Sequence, residues 1–143
     1  KIIFEPGRFI IGNSAILITK IIYIKKSNGK KFVILDAGMN DLMRPALYDA
    51  YHQIIPLKRT GKSLKGNIEF VGPICESSDK FLTEKKFQKI KEGDYVSLAN
   101  VGAYGMSLSS NYNTRPTIAE IIVKGSKHKI IRKRQSLQNL VNN

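Results

Sequence analysis

The dipeptide Asn28-Gly29 constrains the fold more than any other two residues of this chain. Before it runs Ala15–Ile24, rich in Ile and Thr, and after it runs Lys31–Leu35, which carries Phe, Val, Ile and Leu. β-Branched residues crowd the turns of a helix but pack well on a pleated surface. Asn and Gly tolerate the positive φ angles of a type I′ turn, whose twist matches that of two paired strands. The stretch therefore predicts a hairpin with its tip at Lys25–Lys31. The same punctuation recurs along the chain. Lys91-Glu92-Gly93-Asp94 precedes an apolar run, Tyr95–Ala99, and Lys124-Gly125-Ser126 separates Pro116–Val123 from Lys127–Arg132. Leu47–Leu57, closed by Pro56, and Ile68–Val71 read as further strands. Roughly six to eight short strands, with turns about every 8–12 residues, predict a mainly β chain: an antiparallel β-sandwich or barrel-like domain.

Helices are minor in this reading. Phe9–Asn13 is a short helix stopped by Gly12-Asn13, and Pro45 suits the first turn of another begun at Arg44. Leu137, Leu140 and Val141 recur at helical spacing within Ser136–Val141. Thr60–Asn67 reads as a Gly- and Lys-rich loop, and Asp79–Phe87 as a polar loop or short helix. The 143 residues suffice for one domain with a packed core. No apolar run approaches the roughly 20 residues that a membrane-spanning helix needs. The chain opens on Lys1, without a signal-peptide pattern, and Ile2-Ile3-Phe4 reads as a buried strand belonging to a neighbouring domain.

The net charge of +13 invites a nucleic-acid partner. The lysines, however, are dispersed over turns (Lys25, Lys26, Lys30, Lys31), a middle segment (Lys85, Lys86, Lys89, Lys91) and the C-terminal part (Lys129, Lys133). No aromatic residues interleave with them as a base-stacking platform requires. The expectation is no nucleic acid and no membrane. A single cysteine, Cys75, excludes an internal disulfide and suits a reducing, cytoplasmic setting. Two histidines, His52 and His128, with that one cysteine make no Cys/His metal site, and His52 reads as structural.

Four stretches hold polar residues that the strand pattern does not explain. Glu5-Pro6-Gly7-Arg8 is a turn that could present backbone N–H groups to a phosphate, with Arg8 as an added anion donor. Arg44 and Tyr48 lie four apart and share a helix face, as a carboxylate grip would need. Cys75-Glu76, entered through Gly72-Pro73, sets a thiol acid beside a carboxylate. Gly102-Ala103-Tyr104-Gly105 places a phenol between glycines, where a ligand can approach the backbone. Each stretch also has a plain structural reading: a strand-to-helix turn, a solvated Arg over a half-buried Tyr, a cysteine filling space, and a turn capped by Tyr. The residues alone leave both readings open.

Taken in order, these stretches and two more, Asp36-Ala37-Gly38-Met39-Asn40-Asp41-Leu42 and Ser109-Ser110-Asn111-Tyr112-Asn113, resemble the C-terminal part of the diaminopimelate decarboxylase family. The likeness spans essentially the whole chain, and six motifs in order and spacing make it specific. Ornithine and arginine decarboxylases share the cysteine loop but typically carry Asp where Glu76 stands. Arg44-Pro45-Ala46-Leu47-Tyr48 also favours the diaminopimelate type.

The resemblance implies a pyridoxal 5′-phosphate enzyme built from an N-terminal (β/α)₈ barrel and a C-terminal β domain. Residues 1–8 would end the last barrel strand, and residues 9–143 would form the β domain with short helices. Glu5, Pro6, Gly7 and Arg8 would line the cofactor phosphate, and Arg8 would also reach the substrate. Arg44 and Tyr48 would bind the distal carboxylate of meso-diaminopimelate, and Glu76 would read its distal ammonium. Tyr104 would touch cofactor and substrate. Cys75 would be the proton donor, supplied across a homodimer interface. The lysine that holds the cofactor would lie in the barrel, in a Tyr-Ala-x-Lys setting that this chain lacks.

Overall fold

The computed structural model describes residues 1–142. Strands β1 (Leu17–Ser27) and β2 (Lys30–Leu35) form the expected hairpin, with Asn28 at φ 49° and Gly29 at φ 73° in its tip. β3 (Ile54–Pro56), β4 (Ser63–Val71), β5 (Lys80–Gln88) and β6 (Tyr95–Leu98) join them in a six-stranded sheet of order β3-β6-β1-β2-β4-β5. Every pairing in it is antiparallel except β2 with β4, which run parallel from Lys30 beside Asn67 to Ile34 beside Val71.

The sheet curls because β1 bends. Its first half pairs with β6 and its second half with β2, and the register slips between Ile21 and Tyr23. Ile21 is fully buried, yet Ile22 and Tyr23 both face out, as an extra residue in one strand demands. The curl brings the sheet's two edges near each other. Ile55 and Pro56 of β3 line one cleft with Phe87 and Gln88 of β5, and the Thr60 hydroxyl, in the segment after β3, donates to the Lys89 carbonyl at 3.1 Å. The result is barrel-like and nearly closed. Inside it Ile21, Val33, Leu35, Phe70, Val96 and Leu98 are wholly shielded from water, and Phe70 meets Phe87 edge-on with ring centres 4.9 Å apart. Each such side chain contributes about 1.5–3 kcal/mol by leaving water.

Short helices flank the sheet: α1 (Arg8–Ile11), followed by a 3₁₀ turn (Gly12–Ser14), and α2 (Arg44–Tyr48), with Pro45 in its first turn as expected. Asp49, in the left-handed region at φ 52°, ends α2. A second hairpin, β7 (Glu120–Lys124) and β8 (Lys127–Arg132), stands apart from the main sheet, and α3 (Leu137–Val141) follows it. Ile121, Ile122, Val123, Ile130 and Ile131 of that hairpin are exposed. No helix among the described residues is long and apolar enough to cross a membrane.

Four local expectations are corrected. Ile2-Ile3-Phe4 is neither strand nor buried in this chain; all three side chains are about 80% exposed. Within this chain it has no partner strand to bury it. Leu47–Leu57 is not one strand, because α2 takes its start and only Ile54–Pro56 pairs. Thr60–Asn67 is not all loop, since β4 begins at Ser63. Asp79–Phe87 is neither loop nor helix but the strand β5, whose polar side chains coat an outward face.

Candidate active site

The antiparallel order β3-β6-β1 sets Leu98, at the end of β6, beside both Leu17 at the start of β1 and Ile54 at the start of β3. The segments before β1, before β3 and after β6 therefore meet at one end of the sheet. Those segments carry Gly7 and Arg8, Arg44 and Tyr48, and Tyr104. Val101 N–H donates to the Ala15 carbonyl at 3.1 Å, and Gly102 N–H to the Gly12 carbonyl at 3.0 Å. Gly102 must be glycine there, since a Cβ would lie 2.1 Å from the Ile11 carbonyl oxygen. Two residues on, Tyr104 sits in the left-handed region at φ 61°, costly for a bulky residue and common at binding sites. Its hydroxyl lies against Gly7, where a Cβ would come within 3.2 Å.

Arg44 is the centre of this cluster. It is 9% exposed, and its guanidinium packs 5.5 Å from the Tyr48 ring centre and 5.6 Å from that of Tyr104. The expected Arg44–Tyr48 face of α2 is present, and Tyr104 joins it from 60 residues away. Two aromatic faces attract a guanidinium but satisfy none of its five donors. Among the described residues Arg44 makes no ion pair and donates no hydrogen bond. A half-enclosed guanidinium with free donors is a receptor for a carboxylate or phosphate.

Next to it lies His52, which is 3% exposed. Its Nδ1 donates to the Ala99 carbonyl at 2.9 Å, and its Nε2 is buried without a partner. Burial pushes its pKa below the ordinary histidine value, the Ala99 carbonyl opposes this, and the charges of Arg44 and Arg8 push it further down. The imidazole is held neutral beside two cations. Sequence reading treated His52 as structural; its place beside Arg44 depends on the pairing of Gln53 with Ala99, which no local pattern reveals.

Cys75 and Glu76 lie elsewhere, on the exposed loop between β4 and β5. No hydrogen bond, ion pair or cation–π contact among the described residues joins them to Arg44, Tyr48 or Tyr104. Glu5 and Pro6 are exposed ahead of α1. Beneath the cysteine loop is a polar network that sequence reading did not resolve. Asp79 (3% exposed) accepts Met39 N–H at 2.7 Å and Ile74 N–H at 2.8 Å. Asp41 accepts Gly38 N–H at 2.9 Å and the Asn40 amide at 3.0 Å. Arg115 donates to Asn40 Oδ1 at 2.9 Å and lies 3.8 Å from Asp41. Burial raises the pKa of both carboxyls, while their backbone donors and Arg115 oppose the rise. The Asp36–Leu42, Gly72–Asp79 and Ser109–Asn113 motifs thus converge on one site. Among the described residues no group of three or more His, Cys, Asp or Glu side chains could hold a metal ion.

The family described as "Pyridoxal-dependent decarboxylase, C-terminal sheet domain" matches residues 9–102. The chain belongs to that family. It is 47% identical over 140 residues to the diaminopimelate decarboxylase of Haemophilus influenzae, covering 98% of this chain and 34% of that protein. It is also similar to the crystal structure of diaminopimelate decarboxylase from M. jannaschi, with a TM-score of 0.91 and 37% identity, covering 96% of this chain and 31% of the other. A third likeness is to diaminopimelate decarboxylase from Helicobacter pylori complexed with L-lysine: TM-score 0.87, 44% identity, 96% of this chain and 34% of that one. The chain spans about one third of the length of these relatives.

Proposed function

We propose that this chain is the C-terminal part of a diaminopimelate decarboxylase, which converts meso-2,6-diaminoheptanedioate to L-lysine and CO₂. The observation that carries this reading is Arg44: buried between Tyr48 and Tyr104, with no carboxylate of its own. A substrate with a second amino-acid end supplies the missing partner. The names of the relatives and the complex of one of them with L-lysine support the same substrate.

The residues present fit pyridoxal phosphate. The bare Gly7, which a Cβ would crowd against Tyr104, leaves room for a group beside Arg8. Glu5, Pro6, Gly7 and Arg8 would hold its phosphate, with the Tyr104 phenol alongside. When bound, pyridoxal phosphate supplies the carbonyl that takes up the substrate amine and a ring that accepts the electron pair left by CO₂. Arg8 also reaches the substrate, and Arg44 and Tyr48 hold its distal carboxylate. Glu76 pairs with the distal ammonium. Offered lysine or ornithine, such a site would leave Arg44 unpaired, a penalty of several kcal/mol, about 2–4.

The Cys75 thiol gives its proton to the carbon that lost CO₂. The new C–H bond forms from the electron pair of the broken C–C bond, and solvent reprotonates the thiolate. Cys75 and Glu76 act in the active site of a second subunit of a homodimer, while Arg44 acts in this one; the lack of any contact between them and the Arg44 cluster among the described residues supports this. Residues 1–8 belong with an N-terminal barrel and residues 9–143 form the β domain. The exposed Ile2, Ile3 and Phe4 and the apolar β7–β8 hairpin are surfaces that such a barrel would cover. A reducing cytoplasm keeps Cys75 a thiol.

The test uses the full-length enzyme with cofactor. CO₂ release from meso-diaminopimelate, and none from lysine or ornithine, is expected. Cys75→Ala should cut turnover about 10²–10⁴-fold with cofactor absorbance intact. Mixing Cys75→Ala subunits with subunits that lack the cofactor-binding lysine should restore activity. Near wild-type turnover of Cys75→Ala removes the thiol from the mechanism, and failure of the mixture rejects the shared site.

A further inference from the structure

The loop from Gly72 to Asp79 is built in two layers. Cys75, Glu76, Ser77 and Ser78 are exposed, whereas Ile74 (8% exposed) and Asp79 (3% exposed) face down into the protein. Asp79 closes the loop with its own backbone: its N–H donates to the Glu76 carbonyl at 3.0 Å, and its carbonyl accepts Gly72 N–H at 2.9 Å. Its carboxyl then does something different. One oxygen takes Ile74 N–H, immediately before the cysteine, at 2.8 Å. The other takes Met39 N–H, from the Asp36–Leu42 stretch that leads into α2, at 2.7 Å.

A single buried carboxyl thus joins the peptide next to Cys75 to the segment that begins the Arg44 helix. Space on its remaining side is filled by Gly72, where a Cβ would lie 2.2–2.4 Å from the carboxyl atoms. The Asp36–Leu42 stretch is itself rigid, because Asp41 accepts Gly38 N–H and Arg115 ties Asn40 to the Asp36 carbonyl. Hydrogen bonds from backbone donors to a buried carboxyl are strong and directional, and among the described residues the loop has no other side-chain bond to the rest of the domain beyond a long Ser78–Met39 contact of 3.7 Å.

We infer that Asp79 is the positioning residue for Cys75, setting the thiol relative to the rest of the molecule through the N–H groups of Ile74 and Met39. This rests on the reading of Cys75 as proton donor. Asp79 touches neither substrate nor cofactor; it acts through the loop. A displacement of about 1 Å at a reacting group costs about a hundredfold in rate. Releasing one of the two carboxyl bonds should therefore slow protonation and spare the earlier loss of CO₂.

The experiment follows one turnover of the full-length holoenzyme with meso-diaminopimelate, recording CO₂ released and L-lysine formed separately. Wild type, Asp79→Asn, Gly72→Ala and Cys75→Ala are run together. Asp79→Asn keeps the size of the side chain but turns one acceptor into a donor facing an N–H. The expected result is unchanged cofactor absorbance, CO₂ release within about twofold of wild type, and lysine formation slowed about 10–100-fold. Gly72→Ala presses on the same carboxyl from the other side and should show the same split. It carries the test if Asp79→Asn does not fold. Equal slowing of CO₂ and lysine in a folded variant, or lysine formation within twofold of wild type, overturns the inference. The Cys75→Ala arm separates the two failures: if that enzyme forms lysine at the wild-type rate, the donor assignment falls; if it does not while Asp79→Asn does, only the positioning role falls.

Discussion

Two arginines of this molecule stand in opposite circumstances. Arg115, with about a third of its side chain exposed, has protein partners: it bonds Asn40 Oδ1 at 2.9 Å and the Asp36 carbonyl at 2.5 Å, and lies 3.8 Å from Asp41. Arg44 is more deeply buried and, among the described residues, has two aromatic rings but no acceptor. The Arg44 nitrogens are not fully sealed, since among the described residues His52 Nε2 is the one buried side-chain nitrogen or oxygen without a partner, so water can meet those donors until an acceptor replaces it. Burial therefore does not mark the structural residue here; satisfaction does. Arg115 completes the fold's own network, and Arg44 is left with free donors, as its proposed role requires.

The largest effect that could break this distinction is at Arg44. In the full-length enzyme Arg44→Ala should lower kcat/KM for meso-diaminopimelate about 10²–10³-fold, the loss of two charge-assisted hydrogen bonds at about 1.5–3 kcal/mol each, in part offset by water. Its thermal unfolding should shift by no more than about 1 kcal/mol, because no protein partner is left unpaired. Arg44→Lys should restore little, as an ammonium cannot reproduce the two-pronged grip. Steady-state kinetics with a parallel melt measures both. A large loss of stability with modest loss of kcat/KM would place Arg44 with Arg115 and end the comparison.

Arg115→Met should do the opposite. It leaves Asn40 Oδ1 and the Asp36 carbonyl without their Arg115 donors and takes the counter-charge from the buried Asp41 carboxyl, and should cost about 2–4 kcal/mol of stability in denaturant unfolding. KM for the substrate should change far less than in Arg44→Ala. If Arg115→Met unfolds at the wild-type denaturant concentration, the network beneath the cysteine loop is decoration rather than support.

Sequence legibility divides along the same line. The Asn28-Gly29 turn was readable because both residues adopt positive φ, which few others accept. Pro45 announced α2, and the Arg44–Tyr48 pair followed from helical spacing. β5 was not readable: in Lys80–Gln88 the buried Phe81 is followed by a mostly exposed, charged run, and irregular pairing with β4 breaks the period of two. The parallel β2–β4 pairing was hidden too, since strand order is set by the closure of the whole sheet. At the site, Tyr104 meets Arg44, and Asp79 meets Met39, only through pairings 40 to 60 residues apart. Motif resemblance proposed Arg44, Tyr48, Cys75 and Tyr104 as site residues; it could not say that Asp79 bonds Ile74 and Met39 or that Arg115 bonds Asn40.

The smallest effect tests how far the unpaired charge of Arg44 reaches. His52 has a lowered pKa because it is buried and because Arg44 and Arg8 are close, with the Ala99 carbonyl opposing them. The folded chain thus refuses a proton that the unfolded chain accepts. Its contribution to stability is complete above about pH 6.5, the free histidine value, and is lost as pH falls through that value toward the lower folded one. Unfolding free energies of the full-length enzyme between about pH 5 and 8 should fall on the acid side, and His52→Gln should flatten that limb. Arg44→Ala should flatten it only in part, since desolvation, the leading cause, remains. Arg115→Met should leave the histidine limb unchanged, because Arg115 does not act on His52. An acid limb that Arg115→Met removes and Arg44→Ala does not would assign the charges the wrong way round.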